Sequence, residues 1–324
     1  MPALAAFSLP IRVVIALLWL PSLLGFSNAL AQAPGVAIYE CCDGEGTAAG
    51  KRTLANAETL RKAGRLLDLP KVNSQISRTI PIHLELPTPN TKAISASEVW
   101  ERARSSYLRI GYYYLCNKCS DWHLSLAGGY VIAGDGIAAT CHHVIANQCA
   151  KMKEGFLVAA DDQGLVYPVT EILVARADLD IAIVRTGAIR LPVLPLNTSV
   201  RPGDRAFLFS DPQGRRGYFS EGMVNRFVQM EEAGAKVIRM NVGTDWAPGS
   251  SGAAILDACG NSIGHVSTIS TLGDEGEAGD ASHEPKRPET HLVIHNAVRA
   301  ADVLSLVTKT SGRNSSGRLG SRGE

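Results

Sequence analysis

The sequence lacks a strong net charge of either sign. Its 32 basic and 31 acidic residues nearly cancel, leaving a formal net charge of +1. Nucleic-acid-binding domains usually carry a clear excess of basic residues, so this balance argues against nucleic acid as a partner. Aromatic residues are few, at 6%, but the 45% of apolar residues is ordinary for a globular protein. A chain of 324 residues is long enough to bury one or two cores.

Long hydrophobic runs are absent beyond the N-terminal region. There, Arg12 precedes the apolar stretch VVIALLWLPSLLGF, and Ala29 and Ala31 form a small-x-small cleavage site. This order is typical of a secretory signal peptide. It predicts that residues 1–31 are removed, that the protein is periplasmic or extracellular, and that no stable membrane association remains. An uncleaved membrane anchor is the alternative, but the run, broken by Pro21, is too short for an easy bilayer crossing.

Cysteine is not scarce. The seven cysteines are Cys41, Cys42, Cys116, Cys119, Cys141, Cys149 and Cys259. In an exported chain they indicate disulfides, and the odd number leaves at least one outside an intrachain pair. We expect Cys141 to pair with Cys149, Cys116 or Cys119. A zinc site built on the Cys116-x-x-Cys119 motif, with His123, Cys141, His142 or Cys149 as further ligands, is the alternative. Disulfides are favoured, and no metal or other cofactor is expected.

Residues 32–95 carry no catalytic motif. Apolar periodicity predicts one amphipathic helix over residues 55–70, ended by Pro70, and residues 80–91 read as an extended segment followed by a Pro-rich linker. Three interpretations stay open for this N-terminal extension. It is a propeptide, a targeting or partner-binding region, or a segment packed on the following domain.

From about residue 97 a short helix is followed by many segments rich in Val, Ile, Tyr and Phe, separated by Gly, Asp, Asn or Pro. Short strands without long intervening helices predict an all-β sandwich or barrel. A final amphipathic helix is predicted over residues 297–309. The charged residues 272–290 are predicted to form a surface insertion, and residues 310–324 a disordered tail.

Three segments together could supply acyl-transfer chemistry, which needs a base, an acid that orients it, and amides for the oxyanion. A predicted hairpin ends in TCHHV, an aspartate opens the strand IAIV, and the turn APGSSG precedes another strand. Each alone has an ordinary interpretation as a surface histidine, a strand-capping aspartate or a Gly/Ser turn. Their occurrence in one β-rich region favours the catalytic interpretation.

The segments TCHHV, DLDIAIV, TDWAPGSSG and GHVS resemble, in this order, the trypsin-like (chymotrypsin-clan) serine peptidases. The motifs most resemble those of the exported bacterial branch that includes the high-temperature-requirement proteases, here without PDZ domains. The resemblance covers about residues 97–308. It implies an all-β, chymotrypsin-like double six-stranded β-barrel with a C-terminal helix, in a domain of residues 96–309. The first barrel would span about residues 96–190 and the second about 191–300.

The same resemblance assigns roles to individual residues. It makes His143 the general base, Asp180 the acid that orients it, and Ser251 the nucleophile. The backbone amides of Gly249 and Ser251 would form the oxyanion hole. Ser267 would brace the aspartate and begin the strand that binds the substrate backbone. The motif positions do not fall on the nearby residues of the same types, His142, Asp178 and Ser250.

Two further positions bear on substrate choice. Asp245 stands six residues before Ser251, where relatives that cleave after Lys or Arg carry an acid at the base of the pocket. A buried carboxylate there would favour a cationic side chain, although the same Asp belongs to a surface loop in other members. Ile269 would narrow the entrance of the pocket. The sequence therefore leans slightly towards basic residues.

The resemblance implies a secreted or periplasmic serine endopeptidase that acts on polypeptides. An inactive, protease-like binding protein would lack a residue of the triad, and none is missing. A zymogen that requires removal of residues 32–95 stays open. An esterase of the usual fold would alternate strands with long helices and place its acid after the serine, and this chain does neither. The oligomeric state is not indicated.

Overall fold

The computed structural model describes residues 37–40, 44–148, 150–232, 234–274 and 289–308. The predicted signal peptide and C-terminal tail lie outside the described residues, as do Cys41, Cys42 and Cys149. From Tyr39 on, the described residues belong to one compact unit. None of the described helices combines the length and apolar character needed to span a membrane.

The N-terminal extension forms four short elements. They are α1 (Ala48–Lys62), β1 (Leu67–Asp68), α2 (Leu69–Gln75) and β2 (Ile82–His83). The prediction of one helix over residues 55–70 was wrong in both boundaries. Helix α1 ends before Gly64, whose φ of +66° is left-handed and incompatible with a continuing helix. Pro70 lies in the first turn of α2, where its missing N–H is not needed.

This extension is packed on the body of the protein. Ala57 of α1 and Val72 of α2 are fully buried. Leu67 pairs with Leu157 in the sheet that follows, and the Ile94 amide donates to the Ala258 carbonyl oxygen at 2.9 Å. Removing the extension would expose these apolar side chains and break sheet hydrogen bonds. Of the three interpretations, the structure favours a segment packed on the domain.

A helix and six strands follow the extension. Helix α3 (Ala96–Ser106) confirms the predicted helix; Ser95 and Glu98 form a capping box at its start. The strands and the short helix between them are β3 (Tyr107–Cys116), β4 (Trp122–Ala133), β5 (Ile137–Thr140), α4 (His142–Ala146), β6 (Met152–Ala160), β7 (Val166–Arg176) and β8 (Ile181–Thr186). Their order is β6-β3-β4-β5-β8-β7, and β7 also pairs with β6. The first six strands of the domain therefore close into a ring, with β1 added beside β6.

A second set of six strands forms a closed barrel. These strands are β9 (Arg205–Ser210), β10 (Tyr218–Glu232), β11 (Ala235–Val242), β12 (Ala254–Leu256), β13 (Ser262–Asp274) and β14 (Glu289–Arg299). The closed order is β10-β11-β14-β13-β12-β9. Strands β13 and β14 extend into both ends of the predicted insertion 272–290, of which residues 275–288 lie outside the described part. The two rings confirm the predicted double six-stranded barrel.

The C-terminal helix is shorter than predicted. Helix α5 covers only Ala300–Ser305, because residues 297–299 continue strand β14. Strand β15 (Val307–Thr308) then pairs in parallel with β2, which ties the N-terminal extension to the end of the domain.

The two barrels share one apolar core. Tyr107 of the first barrel meets Phe209 of the second edge-to-face, with ring centroids 5.3 Å apart. Both side chains belong to a buried cluster that also contains Ile132 and Ile255. Loops from the two barrels are therefore held in fixed positions relative to each other.

Candidate active site

His143 lies on the one-turn helix α4, directly after the hairpin β4–β5. The turn of this hairpin contains Asp135 and Gly136, both with positive φ, a conformation that Asp and Gly tolerate. The Thr140 hydroxyl then donates to the Gly128 carbonyl oxygen at 2.7 Å and fixes the end of β5. The His143 side chain is 45% exposed, so its ring is accessible from the surface.

Asp180 precedes strand β8 and holds the His143 ring. Its carboxylate lies 2.9 Å and 3.0 Å from His143 Nδ1 through its two oxygens, and the His143 backbone amide donates to it at 3.0 Å. Asp180 itself has a left-handed φ of +58°, a conformation that Asp adopts more readily than most other non-glycine residues. The neighbouring Asp178 instead forms an ion pair with Arg176.

Ser267 of β13 completes this hydrogen-bond set. Its hydroxyl donates to Asp180 Oδ2 at 2.6 Å, and both residues are buried. Burial alone would raise the pKa of the Asp180 carboxyl, but the hydrogen bonds and charge of His143, with the Ser267 hydroxyl, outweigh it and hold that pKa well below its ordinary value. Asp180 is therefore ionised at neutral pH and fixes the Nδ1–H tautomer of His143.

The sequence did not single out His265, which also touches Asp180. It is fully buried on β13, with Nε2 3.4 Å from the Asp180 carbonyl oxygen and Nδ1 3.4 Å from the Tyr130 hydroxyl. Burial lowers the pKa of His265 to about 4, so its ring is neutral at pH 7. The only signal in the sequence was its place two residues before Ser267, on the same face of the strand.

The two adjacent serines have different surroundings. Ser250 is fully buried and its Oγ accepts a hydrogen bond from the Ser210 hydroxyl at 3.0 Å. Ser251 is half-buried and has no hydrogen bond to any other described residue, including His143. Catalytic hydrogen bonds are often long before substrate binds. Of the two serines, only Ser251 is partly open to solvent.

Gly252 brings Ser251 close to the segment that carries His143. Its amide donates to the Val266 carbonyl oxygen at 2.8 Å, and its φ is +83°. A Cβ at this position would lie only 2.3 Å from the Gly128 carbonyl oxygen and 2.5 Å from Thr140 Oγ1. Only glycine allows the turn to approach the end of β5 so closely.

The turn before Ser251 leaves two backbone donors unused. The Ser250 amide donates to Ala247 O at 3.0 Å, whereas the amides of Gly249 and Ser251 have no acceptor among the described residues. Gly249 has a left-handed φ of +101°. The turn therefore presents two free N–H groups beside the half-buried hydroxyl, the donors that an oxyanion requires.

The two specificity positions differ in what surrounds them. Asp245 is exposed, and its carboxylate accepts a hydrogen bond from the Tyr218 hydroxyl at 3.3 Å. This position favours the surface-loop interpretation over a buried carboxylate in a pocket. Ile269 is 37% exposed on β13 and pairs with His295, whose ring stacks on Trp246 at 4.4 Å.

The expected disulfides of Cys141 with Cys116 or Cys119 are not formed. The Cys116, Cys119, Cys141 and Cys259 thiols are all free. Cys141 is fully buried and its thiol donates to the Val266 carbonyl oxygen at 3.0 Å, so it is used in packing between the barrels. Burial raises the pKa of the Cys141 thiol well above its ordinary value, which keeps it protonated and unreactive.

The described residues contain two groups that could hold a metal ion. In one, the ligand atoms of Cys141, His143 and Asp180 lie within 4.8 Å of one another, but the hydrogen bonds above already occupy them. In the other, the ligand atoms of Cys116, Cys119 and His123 lie equally close, at the tip of the β3–β4 hairpin.

Comparison with known proteins identifies the domain. A model of the trypsin-like peptidase domain family matches residues 127–264. The chain carries a trypsin-like peptidase domain. The matched part of this domain includes His143, Asp180 and Ser251 and ends before Ser267. The predicted trypsin-like domain is therefore confirmed over the matched residues.

One solved structure with similarity to the chain is the HtrA-type protease AlgW with a tripeptide. It is 18% identical and has a TM-score of 0.49. The alignment covers 65% of this chain and 62% of that chain, so the chain spans less than two thirds of AlgW. No curated protein sequence matches the chain.

Proposed function

We propose that the trypsin-like peptidase domain is an active serine endopeptidase, with His143 as base, Asp180 as orienting acid and Ser251 as nucleophile. One observation carries this proposal. The buried Asp180 contacts His143 Nδ1 through both of its oxygens, in the domain that also carries the half-buried Ser251 hydroxyl. A merely structural aspartate would not require an exposed imidazole as its main partner.

The reaction follows the acyl-enzyme route. His143 Nε2 takes the proton from Ser251 Oγ as this oxygen attacks the carbonyl carbon of the scissile peptide. The amides of Gly249 and Ser251 donate to the resulting oxyanion. The imidazolium, held by Asp180, then protonates the leaving amine. Water attacks the acyl-enzyme with His143 as base, and the proton returns to Ser251 Oγ as the acyl group leaves.

The arrangement of His143 is suited to this role. Its Nδ1–H is fixed by a carboxylate that is itself held by the Ser267 hydroxyl at 2.6 Å. The ring therefore cannot rotate without breaking a hydrogen-bond set that is buried at its far end, and Nε2 is left as the acceptor. The substrate closes the remaining gap to Ser251, as expected for catalytic hydrogen bonds that tighten on binding.

The substrate class is polypeptide. The exposed position of Asp245 gives no support for a preference for Lys or Arg before the cleaved bond. We also propose that the protein is exported to the periplasm or the extracellular space. The support for export is the sequence pattern of residues 1–31, with its basic residue, apolar run and small-x-small site.

The other candidate functions have less support. An inactive, protease-like binding protein has no need of two unused backbone donors at Gly249 and Ser251. Activation by removal of residues 32–95 conflicts with the packing of α1, β1 and α2 on the domain. Esterase activity uses the same residues, and peptide and ester substrates distinguish it.

The test is the hydrolysis of a protein substrate and of a small ester by the wild type, Ser251→Ala and Ser250→Ala. We expect Ser251→Ala to lose roughly 10⁴-fold or more in kcat on both substrates. Ser250→Ala is the matched control, which removes a buried hydroxyl one residue away and retains most of the activity. Undiminished hydrolysis by folded Ser251→Ala would overturn the assignment. Hydrolysis of the ester alone would identify an esterase.

A further inference from the structure

The loop that joins β3 to β4 brings together three residues that the peptidase mechanism does not use. Cys116 ends β3, Cys119 lies in the turn, and His123 is near the start of β4. The turn is tight: the Cys116 amide donates to the Asp121 carbonyl oxygen at 2.8 Å. The Lys118 amide donates to Cys116 Sγ at 3.4 Å. The backbone therefore holds the first sulfur from within the turn.

His123 is oriented by groups on both sides of its ring. Its Nε2 lies 3.0 Å from Cys119 Sγ, while its Nδ1 lies 2.8 Å and 2.9 Å from the two carboxylate oxygens of Glu45. Glu45 is itself fixed by the Leu124 amide, which donates to it at 3.0 Å. The carboxylate places the ring proton on Nδ1, and the lone pair of Nε2 then points towards the thiols.

This arrangement has the parts of a metal centre. Metal-binding histidines usually donate their second ring nitrogen to a carboxylate, which fixes the ring and raises its basicity. Two cysteines separated by two residues are the usual pair of a structural zinc site. Sulfur and nitrogen ligands in this combination favour zinc over magnesium or calcium. Neither cysteine is in a disulfide, so both sulfur atoms are available as ligands.

We propose that Cys116, Cys119 and His123 bind a zinc ion. Zinc with bonds of about 2.3 Å to sulfur and 2.0 Å to nitrogen holds its ligand atoms roughly 3.5–3.8 Å apart in a tetrahedron. The three ligand atoms all lie within 4.8 Å of one another, so side-chain adjustments of about an ångström are sufficient. Three protein ligands leave the fourth position for solvent or a further side chain.

The zinc has a structural role. It clamps the tip of the β3–β4 hairpin, and through Glu45 it reaches the segment that leads into helix α1. His123 is five residues before Gly128, the residue that packs against Ala253 beyond the nucleophile turn. At about 3.3 Å per residue in a strand, these positions are roughly 16 Å apart. The zinc site therefore lies outside the catalytic centre. Zinc binding there does not depend on whether the domain is an active peptidase.

The first test is the metal content of the full chain, purified anaerobically after expression with zinc and dialysed against a weak chelator. Elemental analysis should find about one zinc per chain in the wild type. Cys119→Ser and His123→Ala should retain less than a tenth of it. Cys259→Ser is the matched control: it removes a free thiol on the second barrel and should leave the zinc content unchanged. Circular dichroism of every variant checks that the β-barrels are intact.

The second test identifies the ligands. Cobalt added to the zinc-free wild type should give the near-ultraviolet thiolate-to-cobalt band and the intense visible bands of a tetrahedral site, both lost in Cys119→Ser. Glu45→Gln keeps the three ligands but weakens the orientation of His123. We expect it to lower zinc affinity roughly 10–100-fold, with the cobalt spectrum retained at saturation.

Three results would overturn the proposal. One is an anaerobically purified chain that holds no zinc and gives no thiolate band with cobalt. Another is zinc content that is the same in wild type, Cys119→Ser and His123→Ala, which would place the metal elsewhere. The third is a Cys116–Cys119 disulfide in that chain, seen as a mass two units lower that resists alkylation until reduced. None of these readouts measures proteolysis, so their failure is separate from failure of the peptidase assignment.

Discussion

Two histidines of this protein are held by carboxylates in nearly the same way. His143 Nδ1 lies 2.9 Å and 3.0 Å from the oxygens of Asp180, and His123 Nδ1 lies 2.8 Å and 2.9 Å from those of Glu45. The two pairs differ in what faces Nε2. Beside His123 it is the sulfur of Cys119 at 3.0 Å, whereas the Nε2 of His143 has no hydrogen-bond partner among the described residues.

The carboxylates also differ in burial. The side chain of Asp180 is 11% exposed and is braced by Ser267, whereas the side chain of Glu45 is 38% exposed. A buried, fully bonded carboxylate fixes an imidazole firmly enough for proton transfer. An exposed carboxylate is sufficient to orient a ligand whose position a metal also fixes. A carboxylate–histidine pair thus occurs in both proposed sites, and the group that faces Nε2 distinguishes the proposed proton transfer from the proposed metal binding.

The largest expected effect is the difference in kcat between variants of Asp180 and Glu45. In Asp180→Asn the side-chain amide can donate a hydrogen bond to Nδ1, which favours the wrong tautomer of His143. We expect kcat to fall roughly 10⁴-fold. Glu45→Gln makes the equivalent change beside His123 and should leave kcat within about threefold. Steady-state hydrolysis of a peptide by both variants measures this contrast. Equal losses would mean that the two pairs are not functionally distinct.

A third histidine, His265, also lies beside Asp180, but it contacts only the Asp180 backbone carbonyl oxygen. Burial lowers the pKa of His265 to about 4, whereas an unfolded histidine titrates near 6.5. Between these values the unfolded chain binds a proton that the folded chain does not, so the free energy of unfolding should fall as the pH is lowered. The expected contribution is about 3 kcal/mol between pH 7 and pH 4.

Urea denaturation of wild type and His265→Gln at pH 7, 5.5 and 4.5 measures this contribution. Glutamine keeps a hydrogen-bonding side chain but does not titrate in this range. The difference in unfolding free energy between the two proteins should shrink as the pH falls. A difference that is constant with pH would show that His265 does not remain neutral in the folded protein.

The smallest expected effect concerns a carboxylate that has no histidine partner. Asp245 is exposed, and its carboxylate accepts a hydrogen bond from the Tyr218 hydroxyl. The Ser220 hydroxyl accepts from the Asp245 backbone amide and donates to the Asp245 carbonyl oxygen. We therefore expect Asp245→Asn to change kcat/KM by less than about threefold on peptides with Lys or Arg before the cleaved bond. A drop of a hundredfold or more confined to those peptides would restore the role that the sequence pattern assigned to this residue.

The sequence was sufficient for the parts of the molecule that short-range patterns determine. The succession of β-rich segments predicted an all-β sandwich or barrel, and the family resemblance implied the two barrels that are present. The Ser95–Glu98 capping box begins the helix that the sequence placed there. The family motifs led directly to His143 and Asp180, which the structure brings into contact. These features depend on spacing and turn chemistry within a few residues, which a single sequence contains.

The features that the sequence did not reveal depend on distant contacts. Burial of His265 results from the packing of β13 against β14 and the first barrel, and nothing near it in the chain indicates this. Cys141 was expected in a disulfide, but the approach of the two barrels instead gives its thiol an acceptor at Val266. The pairing of Glu45 with His123 joins residues that are 78 positions apart, so no local pattern could predict it.

The most direct test of the proposed triad is to map the adduct of a fluorophosphonate on the wild-type chain by peptide mass spectrometry. This reagent reacts with a serine only where base, orienting acid and oxyanion donors are assembled around it. The proposed triad predicts one modified residue, Ser251, and no adduct in Asp180→Asn over the same time, while Glu45→Gln reacts at the wild-type rate. An adduct on Ser250, or a folded wild type that is not modified at all, would show that Ser251 is not the nucleophile of an assembled triad.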